Sequence, residues 1–164
     1  MSPDSVELVD MPTFIETQRR DRHTAFLIHA QDPNKKTSFA RQLAESTGGV
    51  YLDVLAIVAG NPDLASKVDT LDARFVKDLA VEAAKGADLV IVDELEFLLP
   101  LPLWRGDLSE LVEIVRTWRQ DSPTVVGFFV RSTSALDALL TDSKWFNAAG
   151  QCRVISLEQV KALL

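Results

Sequence analysis

The chain has 164 residues, of which 47% are hydrophobic and 25% charged, a composition typical of one soluble globular domain. No apolar run approaches the ~20 residues that span a bilayer. Met1 is followed by neither a basic region nor an apolar signal core, so we expect a cytoplasmic protein that does not bind membranes. The net charge of −7 argues against direct nucleic-acid binding, because a polyanion is bound by a basic surface. The single cysteine, Cys152, excludes an internal disulfide.

Apolar patterning predicts that helices and strands alternate along the chain. The predicted strands are short continuous apolar runs, as expected of strands buried on both faces, and they cover residues 25–28, 50–52, 89–92, 125–130 and 153–155. The predicted helices cover residues 11–20, 36–46, 71–84, 134–140 and 157–164, with one more that begins after Asp107 and ends before Ser122. Residues 54–59 are apolar and form either a buried extension or an assembly face.

This alternation predicts a parallel sheet covered by helices on both faces, a three-layer α/β/α sandwich with right-handed crossovers. We divide the chain into an N-terminal helix and extension, residues 1–23, and a single domain, residues 24–164. Ligands of such sheets bind at the carboxyl ends of the strands. Three polar clusters are expected along that edge: Gln31–Thr37, Asp93–Glu94 and Arg131–Ser132.

The first cluster matches the phosphate-binding loop pattern G-x-x-x-x-G-K-[ST], except that Ala30 and Lys35 replace the two glycines. In this pattern Lys36 reaches the terminal phosphates and Thr37 binds magnesium. Glycine permits backbone conformations that a Cβ hinders, so Lys35 is expected to distort the loop. The open alternative is that residues 34–37 are simply the polar first turn of a helix. The predicted nucleotide contacts are Gln31, Asp32, Pro33, Asn34, Lys35, Lys36, Thr37 and Ser38.

The other two clusters follow strands of strong apolar character. Asp93 stands where P-loop enzymes hold magnesium, together with Thr37, and Glu94 stands where a general base activates water. The alternative is an acidic exit from a strand, as expected for Asp53. In the third cluster, Ser132 or Thr133 is equally able to cap the helix that follows.

These motifs resemble the additional-strand catalytic-glutamate division of P-loop NTPases, which includes the AAA+ and RecA-like proteins. The resemblance covers Thr24 to Ile155 and implies a five-stranded sheet ordered 5-1-4-3-2, ATP with Mg2+ as ligands, and a sensor role for Arg131 or Ser132 beside the catalytic Glu94. The helical lid of AAA+ proteins is expected to be missing. In length, and in the segment Asp93-Glu94-Leu95-Glu96-Phe97-Leu98, the chain is similar to a small P-loop protein of BREX-type bacterial phage-defence systems.

The sequence leaves two functions open. The first is a nucleotide-binding, ATPase-like subunit of a multiprotein phage-defence or DNA-processing assembly, with weak or partner-dependent hydrolysis completed by an arginine such as Arg116, Arg119 or Arg131. The second is a non-catalytic interaction or assembly protein that keeps the scaffold without binding nucleotide. In both cases we expect protein partners or a homo-oligomer. Trp104, beside Arg105, either anchors such a partner or tucks under its own loop.

Overall fold

A computed structural model describes residues 8–119 and 123–163. Its centre is a sheet of five parallel strands in the order β2-β3-β4-β1-β5. This confirms the predicted α/β class and the predicted strand order. The strands are β1 (Ala25–Ala30), β2 (Val50–Asp53), β3 (Leu89–Asp93), β4 (Val125–Arg131) and β5 (Val154–Ser156).

Helices cover both faces of the sheet and divide the apolar interior into two cores. One face carries α1 (Met11–Arg19) and α2 (Pro33–Thr47), and the ring of Phe14 in α1 meets Phe26 of β1 edge-on at 5.5 Å. The other face is covered chiefly by α5 (Ala73–Ala84), α6 (Ser109–Arg116) and α7 (Ser134–Asp137). Two shorter helices, α3 (Val54–Ala59) and α4 (Pro62–Ser66), follow β2. Within residues 8–119 and 123–163, none of the helices is long and apolar enough to cross a membrane.

The central strands are apolar throughout because both of their faces are covered. Every residue of β1 is buried, and so is every residue of β4 before Arg131. Gly127 of β4 serves this packing, since a Cβ there would lie 2.4 Å from the Phe26 ring. The edge strand β2 is shorter and more exposed.

The start of α2 differs from the prediction in a way that bears on function. The helix begins at Pro33 rather than at residue 36, so most of the predicted loop is the first turn of a helix. The signal was Asp32-Pro33: the aspartate is the N-cap, and proline fits the first helical position because its φ is preset and it lacks an N–H. Only Gln31 and Asp32 lie between β1 and α2.

Several predicted helices are shorter than their apolar stripes indicated. The helix predicted at 157–164 is a single 3-10 turn, Leu157–Gln159, after which Val160 forms a parallel bridge with Val9. Residue 164 lies outside the described residues. The helix at 134–140 divides into α7 and a 3-10 turn over 138–141. α5 starts at Ala73, capped by Asp72.

The helix expected after Asp107 is α6, and it ends at Arg116, well before Ser122, which lies outside the described residues. The N-cap of α6 is Leu108, which makes no side-chain cap bond, but the preceding Asp107 accepts a hydrogen bond at Oδ1 from the Ser109 N–H at 2.8 Å. Trp118 lies beyond the helix but is buried in the core.

Candidate functional site

The three polar clusters meet at the carboxyl edge of the sheet. Gln31 and Asp32 follow β1, Asp93 ends β3, and Ser132 follows β4. β1 and β4 are neighbours, but the first leads to α2 on one face of the sheet and the second to α7 on the other. Adjacent strands whose connections leave in opposite directions open a crevice, which is where such sheets bind ligands.

Lys36 lies at the centre of a buried ionic cluster. Its side chain, on α2, is almost wholly buried, and Nζ donates to Oδ1 of Asp93, which is itself inaccessible to solvent. Glu96 pairs with the same nitrogen at 3.1 Å. The remaining oxygen of Asp93 accepts a hydrogen bond from the Tyr51 hydroxyl at 2.7 Å. We call Lys36, Tyr51, Asp93 and Glu96 the Lys36 cluster.

The electrostatics of the Lys36 cluster keep the lysine charged. Burial alone would lower the pKa of Lys36, but the hydrogen bond to Asp93 and the charge of Glu96 raise this pKa above its usual value. Burial and the hydrogen bond to Asp93 also raise the pKa of Tyr51, so its phenol remains a donor. The cluster is therefore a lysinium ion held by two carboxylates, one of which is fixed further by a phenol.

Thr37 and Glu94 form a second pair beside this cluster. The Thr37 hydroxyl donates to Oε1 of Glu94 at 2.7 Å. Glu94 has a φ of 61°, in the left-handed region that side chains other than glycine adopt at a cost. The backbone therefore turns sharply after β3 and directs the Glu94 carboxylate to the threonine.

The N-terminus of α2 is closed by the chain itself. The Asp32 carboxylate accepts hydrogen bonds from the N–H groups of Asn34 at 2.9 Å and Lys35 at 3.3 Å, and the Lys36 N–H donates to the Asp32 carbonyl. Pro33 has no N–H to offer. The donors that a helix start presents to an anion are thus already satisfied, and a carboxylate stands where a phosphate would bind. Lys35 lies inside the helix without a positive φ, so the distortion expected there is not found.

The third cluster pairs with a residue that the sequence did not single out. His29, buried in β1, holds the Ser132 hydroxyl at 2.8 Å through Nδ1, while Thr133 caps α7 by accepting from the Leu136 N–H. Burial lowers the pKa of His29, an effect that Asp137 partly opposes from 3.9 Å. Arg131 is exposed. The visible signal for His29 was a polar residue in an otherwise apolar strand.

Two members of the Lys36 cluster were also missed. Tyr51 lies in β2 on the face that looks toward α2, which brings its hydroxyl to Asp93. Glu96 follows β3 at the start of a 3-10 turn and had no predicted role. The remaining predicted contacts, Gln31 and Ser38, are exposed.

The oxygen atoms predicted to bind magnesium are paired with other side chains in this arrangement. Both oxygens of Asp93 are engaged by Lys36 and Tyr51, and the Thr37 hydroxyl is bonded to Glu94. In the part of the chain that the structure describes, no three His, Cys, Asp or Glu side chains are grouped so as to hold a metal ion.

Trp104 packs under its own loop, the Pro-rich residues 100–106, which is one of the two roles that the sequence left open for it. Its indole is buried, and Nε1 donates to the Leu71 carbonyl at 2.8 Å, so the tryptophan holds the loop against the domain. Leu103 at the same turn is 54% exposed.

No protein-family model matches this chain, and no curated protein does either. The resemblance to P-loop NTPases therefore depends on the motifs and on the strand order. The predicted roles of Glu94, Arg131 and Ser132 in catalysis, and of Thr37 and Asp93 in metal binding, stay predictions.

Proposed function

We propose that this protein is a non-catalytic interaction or assembly subunit built on a P-loop-type scaffold, in which Lys36 is an internal ion-pair partner and not a phosphate ligand. The observation that carries this proposal is the closed start of α2, where Asp32 satisfies the N–H groups of Asn34 and Lys35. A phosphate chain would have to displace that carboxylate and unwind the first helical turn.

The energetics of the Lys36 cluster support the same conclusion. Breaking a buried ion pair by removing one partner costs about 3–5 kcal/mol, because the other charge remains buried. Lys36 would have to leave both Asp93 and Glu96 to reach a phosphate. Nucleotide binding with a dissociation constant of 1 μM corresponds to a free energy of about 8 kcal/mol. The cost of breaking the ion pair would offset a large part of that free energy.

The loop around Trp104 supports the proposed role as an interaction subunit. Because the buried indole fixes this loop, Leu103 and Arg105 are displayed on a defined surface rather than on a mobile tip. Arg105 also has a positive φ of 52°, a costly conformation for a residue with a side chain. An exposed leucine beside an arginine is suited to a partner that offers an apolar and acidic surface.

One experiment tests both the structural role of Lys36 and the absence of nucleotide binding. Lys36→Met is compared with Lys35→Met, which removes the same charge from the neighbouring, exposed position. Calorimetry with ATP and Mg2+ is expected to detect no binding to wild type. Chemical denaturation is expected to show a loss of about 3–5 kcal/mol for Lys36→Met and no measurable loss for Lys35→Met. Saturable binding that Lys36→Met abolishes without loss of stability would overturn the proposal.

A photoreactive side chain placed at Leu103 tests the interaction surface in cells. It is expected to crosslink to another protein chain, whereas the same group at exposed Lys85, far from the loop in sequence, is the control. Equal background crosslinking at both positions would contradict an interaction role for this loop.

The competing candidate is a nucleotide-binding subunit, as in the phage-defence or DNA-processing assemblies that the motifs resemble. It is favoured by one observation: Lys36 and Thr37 contact Asp93 and Glu94, so the four motif residues lie together. If wild type binds ATP in the calorimetry, Glu94→Gln is expected to keep binding and to lose ~10²–10⁴-fold in turnover.

A further inference from the structure

A small apolar cleft lies at the carboxyl edge of the sheet, between the segment that follows β3 and the residues that end and follow β4. It has a volume of about 80 Å³. Its walls are the aliphatic side chains of Leu95, Leu99, Leu108 and Val130, contributed by the segment after β3, the residue before α6, and the end of β4. We call this space the carboxyl-edge cleft.

The polar groups of the cleft come from the residues that follow β4. Arg131, Ser132 and Thr133 line it together. The Arg131 side chain is exposed and makes no ion pair or hydrogen bond with any residue in the described ranges. The Thr133 hydroxyl accepts a hydrogen bond from the Leu136 N–H and retains its own proton to donate.

The acidic side chain that lines the cleft does not cancel the positive charge of Arg131. Glu96 also lines the cleft, but its Oε1 lies 3.1 Å from Lys36 Nζ. The negative charge of Glu96 is therefore compensated mainly by Lys36, and the Arg131 guanidinium remains able to attract an anion. Guanidinium binds carboxylates with two parallel hydrogen bonds, which gives direction as well as affinity.

The volume limits the size of the ligand. A dry cavity of about 150 Å³ holds benzene, which has six heavy atoms. A space of about 80 Å³ therefore holds an aliphatic group of about three to five carbons. Small-molecule sites combine apolar walls with a few convergent polar groups, and those of parallel sheets lie at the carboxyl ends of the strands.

We propose that the carboxyl-edge cleft binds a short branched aliphatic carboxylate, with its alkyl group between Leu95, Leu99 and Leu108 and its carboxylate on Arg131 and Thr133. This site does not depend on the assembly role proposed above: it shares Glu96 with the Lys36 cluster, but neither Lys36 nor Leu103 lines it. The carboxylate belongs either to a free short-chain acid or to an N-acylated amino acid, and the two sources are separated by the probes.

The test is a titration of the full chain, followed by the amide chemical shifts of the residues around Arg131. Isovalerate is expected to give saturable shifts there, and N-acetyl-leucine is expected to do so only if the site accepts a substituent beside the carboxylate. Isopentanol, which has the same alkyl group without the charge, is expected to bind at least tenfold more weakly. Equal affinity for isopentanol and isovalerate would overturn the assignment of a carboxylate.

Changes to the charge and to the apolar wall of the cleft locate the binding. Arg131→Gln is expected to weaken isovalerate binding at least tenfold, while Arg119→Gln, which removes the same charge from a surface outside the cleft, is expected to leave it unchanged. Leu108→Phe is expected to fill the cleft and abolish binding, with Leu99→Phe as a second variant if the first fails to fold. No saturable shift in wild type, or equal affinity in wild type and Arg131→Gln, would refute the proposal.

Discussion

Among the described residues, the side chains of two cations, Lys36 and Arg153, are buried, and they are held by opposite means. Each is 1% exposed. Lys36 is held by the carboxylates of Asp93 and Glu96. Arg153, just before β5, donates instead to the carbonyls of Ala25 at 2.9 Å and Arg116 at 2.8 Å and has no carboxylate partner in the described residues.

The pKa values of the two groups follow from these surroundings. Charged partners raise the pKa of Lys36 despite its burial, whereas burial lowers the pKa of Arg153 below its usual value. The Arg153 guanidinium caps the C-terminal end of α6, where carbonyls accumulate negative charge, and lies 5.0 Å from the centre of the Trp145 ring. A buried cation is thus not by itself a sign of a ligand site, since Arg153 is held by backbone carbonyls and by the Trp145 ring.

The largest expected effect is the coupling within the Lys36 cluster. Asp93→Ala alone is expected to destabilise the fold by about 3–5 kcal/mol, because it leaves the lysine unpaired except for Glu96. In a Lys36→Met background the same change is expected to cost about 1–3 kcal/mol less. A double-mutant cycle by chemical denaturation measures this, and additive effects would show that the pair does not stabilise the protein.

Arg153→Met is expected to cost less than Lys36→Met, about 1–3 kcal/mol. Its removal leaves carbonyls unsatisfied rather than charges, and it also relieves the burial of an unpaired cation. Thermal or chemical denaturation measures the difference, with Arg119→Met as a control at an exposed position. A larger loss of stability for Arg153→Met than for Lys36→Met would show that the carbonyl-bound cation contributes more than the ion-paired one.

A smaller effect on stability is expected at the turn of Glu94, beside the Lys36 cluster. Glu94→Ala removes the hydrogen bond to Thr37 and keeps the left-handed backbone, whereas Glu94→Gly removes the same bond and relieves the backbone. The glycine variant is therefore expected to be more stable than the alanine variant by about 1 kcal/mol. Equal stabilities in urea denaturation would mean that the turn relaxes when the glutamate is gone.

The smallest expected effect is the pH response of His29. Burial lowers the pKa of this side chain below its ordinary value of 6.5, so the unfolded chain binds more protons than the folded one once the pH falls below that value. The stability of wild type is expected to decline as the pH falls through this range, and part of that decline to vanish in His29→Asn. Identical pH profiles for the two proteins would show that His29 does not titrate on unfolding.

The sheet was predictable because its strands are continuous apolar runs, and their order is the one that the resemblance to P-loop NTPases implies. The exit from β3 at Asp93 and the position of Ser132 at the same edge needed no tertiary information. The start of α2 was misjudged because the lysine–threonine pattern was given more weight than Asp32-Pro33, although a capping aspartate before proline is a strong local signal.

The contacts of the candidate site were beyond the sequence. That Lys36 turns inward to Glu96, or that Tyr51 reaches Asp93, depends on how α2 and β2 lie across the sheet, which no local pattern encodes. The C-terminal segment was misjudged for a similar reason, since a bridge between Val160 and Val9 replaces the helix that propensity favoured.

The Tyr51–Asp93–Lys36 chain of hydrogen bonds joins β2, β3 and α2, so these elements form one cooperative unit. Because the side chains that link the three elements are buried, opening any one of them breaks a hydrogen bond to another. The segment at Val160 is held to Val9 by a parallel bridge whose two hydrogen bonds are 2.8 and 2.7 Å long, and it is not part of this side-chain network. In the native protein, we therefore expect the amides of the C-terminal segment to exchange by local fraying. The amides of β3 are expected to exchange only on global unfolding.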